Sequence, residues 1–363
     1  MQRGHDIIQG GARGMALLMI GDRMVGPGEP CFIVAEAGVN HNGQMNLAKR
    51  LIDVAKSAGA DAVKFQTFRA EDVATTKAEK ADYQKETSPL EESQYHMLKR
   101  LELSEVEFTD LAAYAHSRGI LFLSTPFSIK GVDLLNRIGV PCFKVASGEI
   151  TNLPLLKHIG QTGKPVILST GMSTIEEIRD ALAALKQGGR CEVALLHCVT
   201  GYPPRMEDVN LKAMLFLEKT FHLPVGFSDH TMGINASVAA VALGACVIEK
   251  HFTIDRNLSG PDHRASLEPD ELAALVKSVR EVEVALGREV KEPSLEESSI
   301  RGLVRRSVVA RQIIPQGTKI NEDMLDCKRP GCGIPPADLS TLVGRKARRQ
   351  IQKDELLSWN MVD

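Results

Sequence analysis

Eight alternations of a short β-branched run with a helical stretch, between Pro30 and Gly287, predict an α/β fold: a closed (β/α)8 TIM barrel with a small β-rich C-terminal domain. Two further observations agree with this. No GxGxxG follows the first strand, which counts against an open dinucleotide-binding sheet. Polar residues also gather at strand carboxyl ends, where barrels of this class build their sites.

The strands expected are CFIVAE (31–36), DAVKFQT (61–67), ILFLST (120–125), CFKVAS (142–147), PVILST (165–170), VALLHC (193–198), PVGFS (224–228) and ACVIEKH (245–251). Each has the length and apolar density of a strand buried on both faces. Amphipathic stretches fall between them, among them 46–59, 174–189, 235–245 and 271–287. The barrel is therefore assigned to residues 21–287. Residues 1–20 read as a flexible leader, because MQRGHDIIQGGARG lacks a core pattern and MALLMI is broken at once by Gly21 and Asp22. That run is short for a signal peptide and far too short to span a bilayer. Residues 288–302, polar and aperiodic, read as a linker. Residues 303–363 read as a compact β fold, with short apolar runs split by PQG, RPG, GIPP and QKDE. Within it, 310–325 and 347–362 align without gaps, sharing Ala, Arg, Ile and Met at four positions, as two packed half-units would.

Composition narrows the function classes. Of 363 residues, 43% are hydrophobic and 25% charged, as in a soluble globular protein. A formal charge of -2, with both signs dispersed, leaves no footprint for nucleic acid or an anionic membrane. Seven scattered cysteines without a CxxC suit buried thiols in a reducing cytoplasm.

The strand ends carry Glu36, Lys64, Thr125, Lys144, Ser147, Ser169, Thr170, His197, Ser228, Asp229, His230, Glu249, Lys250 and His251. Lys64 and Lys144 sit inside strands, where an unpaired ammonium costs several kcal/mol, so each needs an anion nearby. The hydroxyls of Thr125, Ser147, Ser169 and Ser228 donate to such oxygens without adding bulk. This set suits a compact polyanion; internal pairing with Glu149 or Glu249 is the competing reading. His230 and His251 end neighbouring strands, about 4.8 Å apart, and can converge on a divalent ion such as Mn²⁺, Fe²⁺ or Zn²⁺. Asp262 and His263 follow in the next loop, and Glu36, before the glycine- and asparagine-rich AGVNHNG, is a candidate general base.

The set EAGVNHNG, KFQ, FLSTPFS, KVASGEITN, LSTGM, HC…YP, GFSDHT, EKHFT and GPDH, followed by RRSVVA and KRPGCGI, resembles the sialic acid synthase family, from about residue 20 to the C-terminus. The small domain resembles that family's antifreeze-like SAF domain. The resemblance implies condensation of phosphoenolpyruvate with an N-acetylmannosamine-type sugar, releasing phosphate and a nine-carbon 2-keto acid. It implies phosphoenolpyruvate binding by Lys64, Thr125, Lys144, Ser147, Ser169 and Ser228, and metal binding, usually Mn²⁺, by His230 and His251. Glu36, Glu149, Tyr202 and Asp262 match residues around the sugar and reacting centre. Arg306 matches an arginine that crosses to the partner's site in a swapped homodimer. HCVTGYP departs from the pattern by placing Thr200 where synthases using N-acetylmannosamine tend to have Asn. That leaves the acceptor open between N-acetylmannosamine and a 2,4-diacetamido-2,4,6-trideoxy hexose, as in legionaminic or pseudaminic acid synthases. Readings of another class are a metal-dependent hydrolase or class II aldolase, and a non-catalytic carbohydrate-binding protein.

Overall fold

The computed structural model describes residues 17–80, 85 and 92–363, so residues 1–16 of the expected leader lie outside the described part. The chain divides into two compact units, one ending at Gly287 and one running from Arg288 to Asp363. Among the described residues no helix is long and apolar enough to cross a membrane.

The first unit opens with a hairpin, β1 (Leu18–Ile20) against β2 (Arg23–Val25). This corrects the leader boundary: Leu18, Ile20 and Val25 are buried, so residues 18–20 belong to the packed unit rather than to a flexible tail. Eight parallel strands follow: β3 (Phe32–Gly38), β4 (Ala62–Thr67), β5 (Leu121–Pro126), β6 (Phe143–Val145), β7 (Val166–Ser169), β8 (Val193–Cys198), β9 (Val225–Asp229) and β10 (Val247–His251). They pair in the order β5-β4-β3-β10-β9-β8-β7-β6, the expected eight-stranded ring. At the β5–β6 joint no hydrogen-bonded ladder is present among the described residues.

The period of two along each strand sorts its side chains. Ile33, Val63, Phe122, Phe143, Leu195, Phe227 and Ile248 turn outward into the layer packed by Leu51, Leu111, Leu135, Leu156, Leu185 and Leu275 of the surrounding helices. Phe32, Val34, Ala62, Leu123, Cys142, Ile167, Leu196 and Val247 turn inward and pack with the hairpin's Leu18, Ile20 and Val25. The barrel is thus apolar and closed at its amino end, and the polar groups are confined to the other. The helices start where their sequences specify. In Ile175–Gly188, for example, the Glu177 amide donates to the Thr174 hydroxyl (3.2 Å), and the Thr174 amide donates to the Glu177 carboxylate (2.7 Å).

The stretch read as a linker is partly helical. Ser294 and Glu297 form a capping box that starts a helix at Leu295–Val304. Beyond it, β11 (Ser307–Ala310) pairs antiparallel with β12 (Leu325–Lys328) over a core of Val308, Ile314, Ile320, Leu342, Ile351 and Leu357. The sequence echo has a structural counterpart. The Ile314 and Ile351 amides each donate to the other's carbonyl at 2.9 Å. Arg311 donates to Met324 (2.8 Å) as Arg348 donates to Met361 (2.9 Å), so matched positions make matched bonds.

Of the cysteines, Cys31, Cys142, Cys198 and Cys246 are buried, Cys191 and Cys327 half-buried and Cys332 exposed, all as free thiols.

Candidate active site

Two residues beyond the apolar floor, each barrel strand contributes one more inward side chain: Glu36, Lys64, Thr125, Lys144, Ser169, Cys198, Ser228 and Glu249, in the order β3 to β10. All of them line one cavity of about 230 Å³. The alternation that fills the floor with apolar groups therefore fills this next layer with polar ones. Ser147, Thr200, Tyr202, His230, His251 and Asp262 line it too, from the ends of strands or the loops beyond.

Two ammonium groups and two carboxylates lie at the centre. Lys64 Nζ is 2.8 Å from Glu36 and 3.7 Å from Glu249, and donates to Thr125 Oγ1 at 3.0 Å. Lys144 Nζ is 3.5 Å from Glu249 and donates to the Val145 carbonyl at 3.2 Å. In the ligand-free chain Glu249 thus pairs internally with both lysines. Their charge states differ. Burial works against the Lys64 cation, but Glu249 and Glu36 more than offset it and raise its pKa; Lys144 has one carboxylate partner, and burial lowers its pKa. Burial pushes Glu36 up to about 7 against the pull of Lys64. Burial also opposes the Glu249 anion, yet Lys144 and Lys64 together hold it below the usual carboxylate range. One carboxylate is fixed as an anion and the other is poised near neutrality, an arrangement suited to proton transfer. Glu36 also accepts from Gln66 Nε2 at 3.2 Å. The β-bulge that ends β3 depends on Gly38, at φ 54, where a Cβ would stand 3.3 Å from Glu36 Oε1 and 3.5 Å from His251 Cε1.

The two histidines lie close together. Their ring centroids are 5.6 Å apart, and Tyr202 packs on both, at 4.1 Å from His230 and 5.8 Å from His251. His230 Nδ1 lies 2.8 Å from the Val199 carbonyl, which accepts only, so Nδ1 carries the proton and Nε2 keeps its lone pair for a ligand. His251 Nδ1 is buried without a hydrogen-bond partner among the described residues, 4.0 Å from Asp262 Oδ2. Burial lowers both imidazoles, His230 to about 4 and His251 well below its ordinary value, and keeps both neutral. Two neutral imidazoles beside a carboxylate are a fitting donor set for a borderline divalent ion. Among the described residues no group of three or more His, Cys, Asp or Glu is arranged to hold a metal by itself, so an ion held here would need further ligands from substrate or water.

The structure resolves why ACVIEKHFT ends in charge. Glu249 and His251 point into the cavity, whereas Lys250 points outward and pairs with Asp229 at 3.1 Å, donating also to the Thr231 carbonyl. Lys250 and Glu249 therefore do not pair with each other. Asp229 further accepts from Ser237 Oγ (2.6 Å) and the Thr231 amide (2.8 Å), a buried brace behind the two histidines. His197 also serves structure, bonded to the Val209 carbonyl (2.7 Å) and stacked on Phe227.

Two predicted site residues, Glu149 and Arg306, are not among the residues that line the cavity. Glu149 ends a 3₁₀ turn at Ser147–Glu149 and accepts from Asn152 Nδ2 at 2.7 Å. The strand ends at Val145, earlier than expected, and the turn carries Glu149 sideways. Arg306 belongs to the second unit, exposed, donating to the Cys327 carbonyl at 3.2 Å. Sequence reasoning missed Gln66 and Cys198, both legible as the next inward position of their strands, and the apolar wall of Val39, Met97, Leu98, Leu101 and Phe127. Most of that wall comes from the helix Gln94–Leu101, inserted between β4 and β5.

Comparison with known proteins places this arrangement. A model described as the NeuB family matches residues 51–291, and one described as the SAF domain matches residues 305–363. An N,N'-diacetyllegionaminic acid synthase of Campylobacter jejuni is 50% identical over 327 residues, covering 90% of this chain and 98% of that one. The N-acetylneuraminate-9-phosphate synthase of Homo sapiens is 40% identical over 344 residues, 94% and 95% of the two chains. A crystal structure of N-acetylneuraminic acid synthetase from Leptospira borgpetersenii in complex with citrate superposes with a TM-score of 0.69 at 37% identity, covering 78% of this chain and 95% of that one. A barrel with this polar layer, matched along most of its length, has one assignment: the chain belongs to the NeuB family.

Proposed function

We propose that the chain condenses phosphoenolpyruvate with an N-acetylated hexose and water to give a nonulosonic acid and phosphate. The observation that carries this is the pair of buried lysines, 3.5 and 3.7 Å from the shared Glu249, among hydroxyls that donate to a small polyanion. Lys64 and Lys144 orient the donor, with Thr125, Ser147, Ser169 and Ser228 around its oxygens. C3 of the enol attacks the sugar's aldehyde carbon. Water then adds at C2 and Glu36 takes its proton, after which phosphate departs with the bridging oxygen and leaves the 2-keto group. His230 and His251 would hold a divalent ion, which we assign as Mn²⁺. When bound, that ion supplies Lewis-acid polarisation of the aldehyde oxygen.

For the acceptor we favour a 2,4-diacetamido-2,4,6-trideoxy hexose over N-acetylmannosamine. Thr200 and the apolar wall of Val39, Met97, Leu98, Leu101 and Phe127 suit a methyl group better than a hydroxymethyl. The Campylobacter synthase named above makes a sugar acid of this kind by name. Mass spectrometry of products formed from phosphoenolpyruvate, Mn²⁺ and both sugars decides it. Preferred turnover of N-acetylmannosamine removes the trideoxy reading, and no condensation with either sugar removes the function. Tyr202 and Asp262 are assigned to the acceptor. Glu149 enters the reading on resemblance alone, since its side chain is bound to Asn152. The reading also includes a cytoplasmic location and a homodimer to which Arg306 contributes across the interface. A light-scattering mass equal to one chain removes the homodimer.

A further inference from the structure

Ser147 stands two residues beyond β6, and its hydroxyl is held from two directions. The Gly171 amide donates to Ser147 Oγ at 2.9 Å, and Cys198 Sγ lies 3.0 Å from the same oxygen. Only glycine permits this approach. A Cβ on residue 171 would stand 2.8 Å from Ser147 Oγ, 2.8 Å from Cys198 Sγ and 2.6 Å from Thr200 Oγ1. Ser147 and Cys198 both line the cavity, as does Ser169, whose buried hydroxyl has no hydrogen-bond partner among the described residues.

A hydroxyl has one proton and two lone pairs. Gly171 occupies one lone pair of Ser147. If Ser147 donated to the sulfur, a weak acceptor, its proton would be spent before any ligand arrived. If the thiol donates instead, both lone pairs are filled and the hydroxyl proton is free to point into the cavity. An anionic oxygen there accepts far better than a thioether-like sulfur, so ligand binding selects the second arrangement. Burial raises the Cys198 pKa, which keeps the thiol proton in place for this donation.

We infer that Cys198 is a positioning residue for the reaction: its thiol donates to Ser147 and so aims the Ser147 hydroxyl at the anionic donor substrate. The inference rests on the phosphoenolpyruvate reading above and adds to it a residue that acts through another.

The test uses full-length Cys198→Ala, Cys198→Val and Cys198→Ser chains, Ser147→Ala, and the Ser147→Ala/Cys198→Ala double variant. Calorimetric titration with phosphoenolpyruvate is read beside kcat and KM from phosphate release. Losing one neutral donor should weaken phosphoenolpyruvate binding about 3- to 10-fold in the Ala and Val variants, with kcat held within about twofold. Serine restores a donor and should return binding to within about twofold of wild type. Adding Cys198→Ala to Ser147→Ala should change nothing further, because the inferred effect of the thiol runs through the hydroxyl that is then gone. Unchanged binding in the Ala and Val variants overturns the inference. So does a serine variant as weak as alanine, or a double variant in which the two losses add. A wild-type chain that binds phosphoenolpyruvate without releasing phosphate overturns the reading of function alone, and the titrations still decide the role of Cys198.

Discussion

Replacing Glu249 by glutamine removes a buried negative charge from between two ammonium groups, and the distances set the scale of the loss. Glu249 stands 3.5 Å from Lys144 and 3.7 Å from Lys64. At an effective dielectric of about 20, each contact is worth roughly 4.5 kcal/mol before desolvation is counted. Lys64 keeps Glu36 at 2.8 Å, whereas Lys144 has no second carboxylate within 4.0 Å among the described residues. Burial already lowers the Lys144 pKa, so in the variant it sheds its proton and limits the damage. A net loss of about 3 kcal/mol is expected, at the lower end of what breaking a buried pair costs. Denaturant unfolding of both chains at pH 7 measures it. Phosphoenolpyruvate or inorganic phosphate should stabilise the variant more than wild type, because the added anion replaces the missing one. A loss under about 1 kcal/mol, with no greater response to ligand, would show that the two lysines do not depend on Glu249 and refute the argument.

Glu36→Gln should keep phosphoenolpyruvate affinity while cutting turnover about 10²-fold, measured by steady-state phosphate release. Burial holds Glu36 at about 7 against an ordinary 4.5, so the native chain keeps a proton that the unfolded chain has lost. Stability therefore falls as pH rises through that window, and the Glu36→Gln chain, unfolded in chelator across the same pH values, should lack that part of the slope. Lys250→Met alone should cost about 3 to 5 kcal/mol by stranding Asp229, and adding Asp229→Asn should recover most of it in urea melts. Mn²⁺ should raise the melting temperature of the wild-type chain but not of His251→Ala, read by calorimetry with no substrate present.

The barrel was legible because its signals are local and repeated: apolar runs of strand length, alternating with helical periodicity. The inward layer was legible in part. Lys64, Lys144 and Glu36 draw notice as charges inside apolar runs, but Cys198 in the same layer, and Gln66 one inward position beyond Lys64, have side chains that raise no alarm. A strict count of two from Ala62 and Leu196 would have found them. Glu149 comes to the site by resemblance alone; the expected strand CFKVAS runs to Ser147, whereas the observed one ends at Val145 and a turn follows, set by tertiary pairing that the sequence does not display. Leu18–Ile20 falls in the expected leader because Gly21 and Asp22 break the apolar run at once; the burial of Leu18 and Ile20 depends on distant floor residues that the run itself does not show. The helix at Leu295–Val304 was missed for another reason, since its Ser294–Glu297 capping box was present in a segment judged only by polarity.

The most direct test of the central claim is phosphate release from phosphoenolpyruvate, followed with and without an N-acetylated hexose in the presence of Mn²⁺. The account predicts release that depends on the sugar and equals, mole for mole, the nine-carbon 2-keto acid formed. Phosphate released without sugar and matched by pyruvate, or no release at all, would contradict it.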